Sequence, residues 1–375
     1  FVLNSHNKVL VYLFNEHQFS DYEICKWIIM VPKMESKVDY IFGDKLPLPL
    51  DPIEVAEGIL WFRLPMPIAL DHINIYLLDD GDSWVLIDTG LSDTKSIEIW
   101  TNILKKYLSK RPIRKIIGTH FHPDHVGLAG WLVERTNAEF WMTQIEWLSA
   151  RQAYLAVDTT ATNSMNTFYK RMNLEPDLIK IYDDIGNDYR SMVTPIPPEY
   201  ERIDHSTLFK IGDRVWKPVF GSGHSPDHVS FYCEKDRIML GGDMLLPRIT
   251  PIIAVWWQEP NADPLKGYLE FLEALDFVGS DALILPAHNR PYKELHTRVT
   301  DLICHHNERL EITYDACKNE TNANVIMQGL FKRKLDPFQT RFAIGETVAH
   351  INNLVKKKNL NRRLDDTGVY FYSQN

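Results

Sequence analysis

Cysteine is scarce in this chain, and long apolar runs are missing from it. Its 375 residues include four cysteines, and none of them belongs to a Cys-x-x-Cys pair. This spacing argues against a disulfide framework and against a structural zinc knot, and it favours a reducing, cytoplasmic setting. No apolar run approaches the roughly 20 residues that a membrane-spanning helix needs. We therefore expect a soluble protein with no membrane partner.

An excess of positive charge is also lacking. The formal net charge is −9, which disfavours a general affinity for polyanions such as nucleic acid. The hydrophobic content of 45% is enough for one large core of helices and strands with a smaller appendage. Composition therefore agrees with a globular enzyme, and the partner that we expect is a small-molecule substrate.

The N-terminal part of the chain has no recognisable motif before about residue 47. Neither of its two short apolar stretches, residues 9–14 and 27–32, has the length or the cleavage site of a secretory signal. We interpret residues 1–46 as an N-terminal extension. Residues 1 to about 33 are interpreted as lying outside the fold and as not necessarily part of the native gene product. The alternative is a strand–helix extension that packs on the domain.

The richest chemical pattern is Thr-His-Phe-His-Pro-Asp-His at residues 119–125. Alternation along an extended segment places His120 and His122 on one side, and the turn at Pro123 redirects Asp124 and His125. Three imidazoles and a carboxylate within six residues are typical of a metal site, because these are the groups that zinc, iron and manganese bind. The segment lies between an expected strand end and a helix start, where functional loops are usually found.

Four further motifs lie in order along residues 51–295, one before residues 119–125 and three after them. They are Trp-Val-Leu-Ile-Asp-Thr-Gly at residues 84–90, Gly-Ser-Gly-His-Ser-Pro at 221–226, Ile-Met-Leu-Gly-Gly-Asp at 238–243 and Pro-Ala-His at 286–288. Together with the first motif they resemble the signature of the metallo-β-lactamase superfamily. The branch that the resemblance indicates contains lactamase-like and glyoxalase II-like hydrolases, although the glutathione-binding helices of glyoxalase II are not recognisable.

This resemblance implies two divalent metal ions, with zinc expected and iron or manganese as alternatives. One ion would be held by His120, His122 and His224, and the other by Asp124, His125 and His288. Asp243 would bridge the two ions, and Asp88 would support the ligands from beneath. A hydroxide shared by the ions would attack the substrate, and Asp124 is the candidate catalytic residue that accepts or relays its proton.

Three other residues are candidates for substrate contact. His72 is either such a contact or a plain loop histidine, and His228 is more typical of a hydrogen-bonded loop residue. Tyr169 belongs to an aromatic- and methionine-rich segment at residues 146–200, which we predict to be a helical lid. The alternative is that these side chains only attach the insertion to the rest of the protein. His305 and His306 are expected to face solvent on a helix.

The resemblance implies an α+β fold, a four-layer αββα sandwich formed by residues 47–295. After His288, three predicted helices and a terminal strand indicate a small winged-helix domain at residues 296–375. Its residues 335–347 resemble the appendage of a subgroup that includes a mitochondrial endoribonuclease. Winged domains on enzymes often serve packing, so a homodimer is also considered.

The leading functional hypothesis is hydrolysis of an ester, thioester or lactone with a partly apolar substrate. The alternative is a phosphodiesterase or endoribonuclease that uses the same metals, with residues 296–375 as an RNA platform. His122 stands where diiron flavodiiron proteins have Glu, which disfavours oxygen or nitric oxide reduction, and a single-iron persulfide dioxygenase stays open. A regulatory protein with a vestigial site would lack a ligand, and none is missing.

Overall fold

The computed structural model describes residues 38–375, except residues 68–69, 157–158 and 186–188. The part of the predicted extension at residues 1–37 lies outside the described residues. Residues 38–46 lie against the folded protein, where Asp39 forms a β-bridge with Lys293 and the Phe42 ring lies 6.5 Å from the Trp61 ring. Residues Val38–Asn375 form one unit.

The first sheet has seven strands in the order β1 to β7, antiparallel up to β4 and parallel from there on. Its strands are β1 Ile53–Ala56, β2 Ile59–Pro65, β3 His72–Asp80, β4 Ser83–Ile87, β5 Ile113–Ile117, β6 Glu139–Thr143 and β7 Glu201–Ile203. All five residues of β4 are buried, as expected for a strand covered on both faces.

The second sheet has five strands in the order β12-β11-β10-β9-β8. They are β8 Phe209–Ile211, β9 Arg214–Gly221, β10 His228–Cys233, β11 Ile238–Gly242 and β12 Leu283–Pro286. The two sheets pack face to face around one apolar core that includes Trp61, Trp216 and Phe231. Burial of these large side chains is the main force that holds the sheets together.

Helices cover the outer faces of both sheets. On the first sheet lie α1 Thr94–Lys106, α2 Pro123–Val126 and α3 Ala129–Thr136, and on the second lies α8 Pro264–Glu273. Asp93 caps α1 by accepting hydrogen bonds from the backbone N–H groups of Lys95 and Ser96. Trp100 and Ile103 form its buried face. Helix, sheet, sheet and helix follow one another in the order that the sequence analysis predicts.

The predicted lid consists of α4 Gln144–Leu155, α5 Thr159–Arg171, α6 Pro176–Ile185 and α7 Tyr189–Met192. Its aromatic and methionine side chains, such as Met165, Phe168 and Tyr182, are buried in one core with the C-terminal helices. The Tyr182 hydroxyl donates to the backbone carbonyl of Pro337 at 2.7 Å. These contacts agree with the alternative interpretation, in which the side chains attach the insertion to the rest of the protein.

The C-terminal region contains three helices and a three-stranded antiparallel sheet. Its elements are α9 Leu295–Ala316, β13 Thr321–Asn322, α10 Ala323–Leu330, α11 Pro337–Lys356, β14 Leu360–Leu364 and β15 Tyr370–Gln374. Asp336 and Gln339 form a capping box at the start of α11. The three helices and the terminal strand agree with the prediction, and β13 and β14 are additional. Among the described residues, no helix is long and apolar enough to cross a membrane.

The prediction that His306 faces solvent is wrong. This side chain is 1% exposed, because α11 and Tyr268 of α8 cover this face of α9. His306 Nδ1 lies 3.3 Å from Nε2 of His350, whose Nδ1 donates to the Glu346 carbonyl at 2.8 Å. Burial lowers the pKa of both histidines, to about 4 for His350. His305 is half-buried rather than fully exposed.

Candidate metal centre

The strand topology brings the distant histidine and aspartate motifs to one place. Strands β9 and β11 both run antiparallel to β10, and β12 runs parallel to β11, so the carboxyl ends of β9, β11 and β12 share one edge. His224, Asp243 and His288 follow those three strand ends. The loop of residues 118–125, which follows β5 in the facing sheet, supplies the remaining ligands.

All seven predicted ligands meet in this cluster. Their donor atoms form three overlapping groups, each with atoms within 4.8 Å of one another: His120, His122 and His224; His120, His125 and Asp243; Asp124, His125 and His288. Asp243 lies between the outer two groups. Its Oδ2 is 3.2 Å from His224 Nε2, and its Oδ1 is 3.2 Å from His288 Nε2.

The donor atoms that face the middle of the cluster fit divalent cations. Among the described residues, the Nε2 atoms of His125, His224 and His288 and Oδ1 of Asp243 are buried without a hydrogen bond. Leaving buried polar atoms unpaired is destabilising, and cations at this point would satisfy all four of them. Imidazole nitrogens and carboxylate oxygens are also the donors that zinc, iron and manganese accept. The residues present therefore fit the metal ions that the resemblance implies.

Hydrogen bonds at the far side of three rings aim their Nε2 atoms at the cluster. His125 Nδ1 donates to Asp88 Oδ2 at 2.8 Å, His288 Nδ1 to the backbone carbonyl of His72 at 2.8 Å, and His224 Nδ1 to that of Ile252 at 3.0 Å. Each bond places the ring proton on Nδ1 and leaves Nε2 free to bind metal.

Asp88, which is predicted to support the ligands, lies beside His125. It is 2% exposed and its backbone φ is 59°, in the left-handed region that Asp and Asn tolerate better than most residues. Besides His125, it accepts hydrogen bonds from the backbone N–H of Thr119 at 2.9 Å and from the Thr119 hydroxyl. The carboxylate therefore connects His125 to the start of the loop that carries four ligands.

The charges of the cluster divide it into two halves. Burial lowers the pKa of His120, and it lowers that of His122 to about 3. Burial raises the pKa of Asp124, but His125 and His288 outweigh burial and bring it to about 2. Burial also lowers the pKa of His288, whereas Asp243 and Asp124 raise it to about 10. A cation at this point would therefore compete with protonation of His288.

Solvent reaches the cluster on the Asp124 side. The Asp124 side chain is 17% exposed, compared with 8% for Asp243 and 1% for His288. His122 and Phe121 are half-buried at the same edge, and Ile252 next to His224 is 37% exposed. Asp124 and His122 are thus the predicted ligands at the solvent-facing edge, and the catalytic role of Asp124 stays a prediction.

The three candidate substrate contacts lie inside the protein. His72 is 6%, Tyr169 1% and His228 0% exposed. His72 is the first residue of β3 rather than a loop residue; its Nδ1 lies 2.5 Å from Asp71 Oδ1, and its Nε2 accepts from the Asn289 backbone at 2.7 Å. His228 Nε2 accepts from the Asp243 backbone at 3.3 Å. Because all three rings contact protein, the geometry lends no support to substrate contact.

Glu146 near the start of α4 is the functional candidate that the sequence analysis missed. It is fully buried, and its carboxylate accepts hydrogen bonds from the Phe121 backbone at 2.9 Å, the Ser225 hydroxyl at 2.7 Å and the Asp227 backbone at 2.6 Å. Burial raises its pKa to about 7, although these hydrogen bonds lower it. A single glutamate in a predicted helix carries no signal by which the sequence could have marked it.

A sandwich of this kind with candidate metal ligands at one edge is typical of a class of metal-dependent enzymes that includes many hydrolases. The chain belongs to the metallo-β-lactamase superfamily, because the model of that superfamily matches residues 68–288. A second family model, described as the metallo-beta-lactamase-like C-terminal domain, matches residues 310–375. The prediction of a superfamily enzyme that catalyses metal-dependent hydrolysis is confirmed.

Solved structures support this assignment over most of the chain. A β-lactamase domain protein from Burkholderia ambifaria is 35% identical with a TM-score of 0.83, and the match covers 90% of this chain and 98% of that one. A metallo-β-lactamase family protein from Thermus thermophilus is 25% identical with a TM-score of 0.72, covering 86% and 100%.

Curated relatives are more distant. The probable metallo-hydrolase YqjP of Bacillus subtilis is 23% identical over 84% of this chain and 98% of its own length. An atrochrysone carboxyl ACP thioesterase from Emericella nidulans is 23% identical over 54% of this chain and 47% of its own length. The match to the thioesterase therefore spans about half of each protein.

Proposed function

We propose that this protein is a dinuclear zinc hydrolase that cleaves the carbonyl ester, thioester or lactone of a small, partly apolar substrate. The observation that carries the proposal is the convergence of the seven predicted ligands into three groups that overlap at His120 and His125. Asp243 lies 3.2 Å from a histidine of each outer group. A single ion would use only part of this donor set. Five imidazoles with two carboxylates suit zinc best, with iron or manganese as alternatives.

When bound, two divalent ions at such a centre acidify a shared water and polarise the substrate carbonyl. The residues of the chain would hold the ions and accept the proton. His120, His122 and His224 would hold one ion, whereas Asp124, His125 and His288 would hold the other, with Asp243 between them. The Asp124 carboxylate is more exposed to solvent than that of Asp243, so it is the carboxylate better placed to accept a proton from the attacking water. The buried ligands Asp243 and His288 have much less access to substrate.

The apolar edge of the centre supports a partly apolar substrate. Phe121 is half-buried between two ligands, and Ile252 exposes 37% of its surface beside His224. An acyl group could bury itself against these side chains while its carbonyl faces the metals. The similarity to a thioesterase supports the same substrate class.

A phosphodiesterase or endoribonuclease is the second candidate. We propose that the three helices and antiparallel sheet of residues 296–375 form a winged helix, whose exposed basic residues include Lys357, Arg362 and Arg363. Two of these charges already have partners, since Arg363 pairs with Glu320 at 2.7 Å and Arg362 donates to Asn261 at 3.0 Å. RNA binding is therefore the weaker proposal. Homodimer formation and a cytoplasmic setting stay predictions from the sequence.

A substrate screen tests the proposal directly. Zinc-reconstituted protein is assayed against acyl-CoA, lactone, phosphodiester and RNA substrates, together with Asp124→Ala and His224→Ala. Asp82→Ala is the matched control, because its side chain is 74% exposed and pairs only at the surface with Arg114. We expect the wild type and the control to cleave acyl substrates, and Asp124→Ala and His224→Ala to lose this activity. Cleavage of RNA only would favour the second candidate, and equal activity in all variants would eliminate the proposed centre.

A further inference from the structure

The peptide groups between His120 and His122 are held from both sides by side chains of the inserted segment. Glu146 Oε2 accepts the Phe121 backbone N–H at 2.9 Å, and the Tyr189 hydroxyl donates to the Phe121 carbonyl at 2.6 Å. The Tyr189 ring also stacks on the Phe121 ring, with centroids 6.2 Å apart. The backbone that carries these two neighbouring ligands is therefore fixed at its donor and at its acceptor.

Glu146 also holds the loop that carries the third histidine. Its Oε1 accepts hydrogen bonds from the Ser225 hydroxyl at 2.7 Å and from the Asp227 backbone at 2.6 Å. Ser225 directly follows His224. One carboxylate thus connects the loop of His120 and His122 to the loop of His224, although its partners lie 25 positions before it and 81 positions after it.

Glu146 contributes nothing to the charge of the protein surface, because its side chain is completely buried. The side chain is 0% exposed, and no Lys or Arg of the described residues forms an ion pair with it. A buried carboxylate without a cation is destabilising in itself. Three hydrogen bonds offset this cost, and all three fix backbone or side-chain groups of the two ligand-bearing loops.

We propose that Glu146, assisted by Tyr189, is a positioning residue for the three-histidine half of the metal centre. This proposal rests on the proposed function in that it assumes a metal at His120, His122 and His224. Without Glu146 the three imidazole rings would still be present, but the two loops that carry them would no longer be connected and could separate. The segment predicted as a lid thereby contributes to metal retention.

Glu146→Gln is the variant of choice because it preserves volume and removes one acceptor. The amide nitrogen must then face either the Phe121 N–H or the donors of Ser225 and Asp227. Loss of such support outside the ligands usually lowers metal affinity by about 10–100-fold. We expect one of the two zinc sites to weaken by that factor in a chelator competition, and the cobalt-substituted protein to change its visible spectrum.

Matched variants separate positioning from general stability. Glu134→Gln on α3 changes a glutamate whose side chain is 79% exposed, and it should leave both zinc affinities unchanged. Ser225→Ala and Tyr189→Phe each remove one contact and should weaken the same zinc site by a smaller factor. The thermal midpoint of each metal-free variant is recorded alongside.

Wild-type zinc affinities and cobalt spectrum in folded Glu146→Gln would overturn the proposal, even if its thermal midpoint fell. Should that variant fail to fold, unchanged affinities in both Ser225→Ala and Tyr189→Phe would overturn it equally. If the wild-type protein retained no zinc in equilibrium dialysis, the proposed function itself would fail. If one zinc site weakens in Glu146→Gln while the other keeps its wild-type affinity, the result supports the positioning role of Glu146.

Discussion

Asp88→Asn isolates the carboxylate that supports His125 without disturbing the backbone. The φ of 59° at Asp88 lies in the left-handed region, which Asn enters at least as readily as Asp. Alanine at this position would add backbone strain to the loss of the side chain. The Asn variant therefore reports the hydrogen bonds of Asp88 and little else.

The size of the effect follows from the donors around Asp88. Its two oxygens accept from His125 Nδ1 at 2.8 Å, from the Thr119 backbone at 2.9 Å and from the Thr119 hydroxyl. Asn offers one acceptor oxygen, so its amide nitrogen must face one of these donors. Losing a hydrogen bond to a charged group costs about 1.5–3 kcal/mol. This corresponds to roughly 10–100-fold weaker binding of the metal that His125 would hold, which agrees with the usual effect of such partners.

Competition with a chromophoric zinc chelator measures the affinity of both sites in one titration. Asp281→Asn serves as the control, because that carboxylate is 56% exposed and pairs with Arg237 at the surface. We expect the control to bind zinc as the wild type does and Asp88→Asn to show one weakened site. Two unchanged affinities in Asp88→Asn would refute the argument that this carboxylate orients His125.

The other predictions concern catalysis, acid stability and the backbone beneath the site. Asp124→Ala should lower kcat on the best substrate by about 10²–10⁴-fold, and a smaller loss would contradict its role as proton acceptor. Burial depresses the pKa of His350 from 6.5 to about 4, so its contribution to stability is present above pH 6.5 and is lost as the pH falls towards 4. In metal-free protein, His350→Asn should remove up to about 3 kcal/mol of this loss in unfolding free energy, as measured by urea titrations at several pH values. An unchanged pH profile would contradict the contribution of His350. Gly242→Ala should lower the unfolding free energy by at least about 2 kcal/mol, because φ is +53° and the added Cβ would lie 2.4 Å from His228 Nε2; wild-type stability in the same titrations would contradict this.

The convergence of the seven candidate ligands could be expected from the sequence because each belongs to a short motif, whereas their role as ligands stays a prediction. His120, His122, Asp124 and His125 are close together in the chain, and local backbone geometry largely determines their arrangement. His224 and His288 come at the ends of strands with clear apolar patterns. Parallel alignment of those strand ends then places the motifs at one edge, which is a general property of such sheets.

The supporting residues could not be predicted, because their partners are far away in sequence. Glu146 bonds to residues 25 and 81 positions away, and the His288 ring bonds to the His72 carbonyl 216 positions away. The burial of His306 depends in the same way on His350, which lies 44 positions further along. Hydrophobic periodicity describes one element at a time and contains no information on such pairs.

The C-terminal region cannot be removed to test whether it binds RNA. Arg298 on α9 is 7% exposed and donates to the carbonyls of Leu246 and Ile249, both at 2.8 Å, in the segment that follows Asp243. Ile344 of α11 is fully buried in the same core as residues of the second sheet. Deleting residues 296–375 would therefore expose that core and release the segment after a metal ligand, so lost activity would have no bearing on RNA.

Neutralising single basic side chains tests RNA binding by the C-terminal region without deleting it. Arg362→Gln and Lys357→Gln change exposed side chains of the C-terminal region. Arg362 also lies over the Tyr370 ring at 4.8 Å, so Lys357→Gln is the milder of the two changes. If this surface contacts RNA phosphates, each substitution should reduce the slope of log affinity against log salt by about one. If the region serves packing alone, RNA affinity and its salt dependence will stay unchanged. Acyl hydrolysis should be unaffected in either case, because the metal ligands and their supporting hydrogen bonds come from other residues.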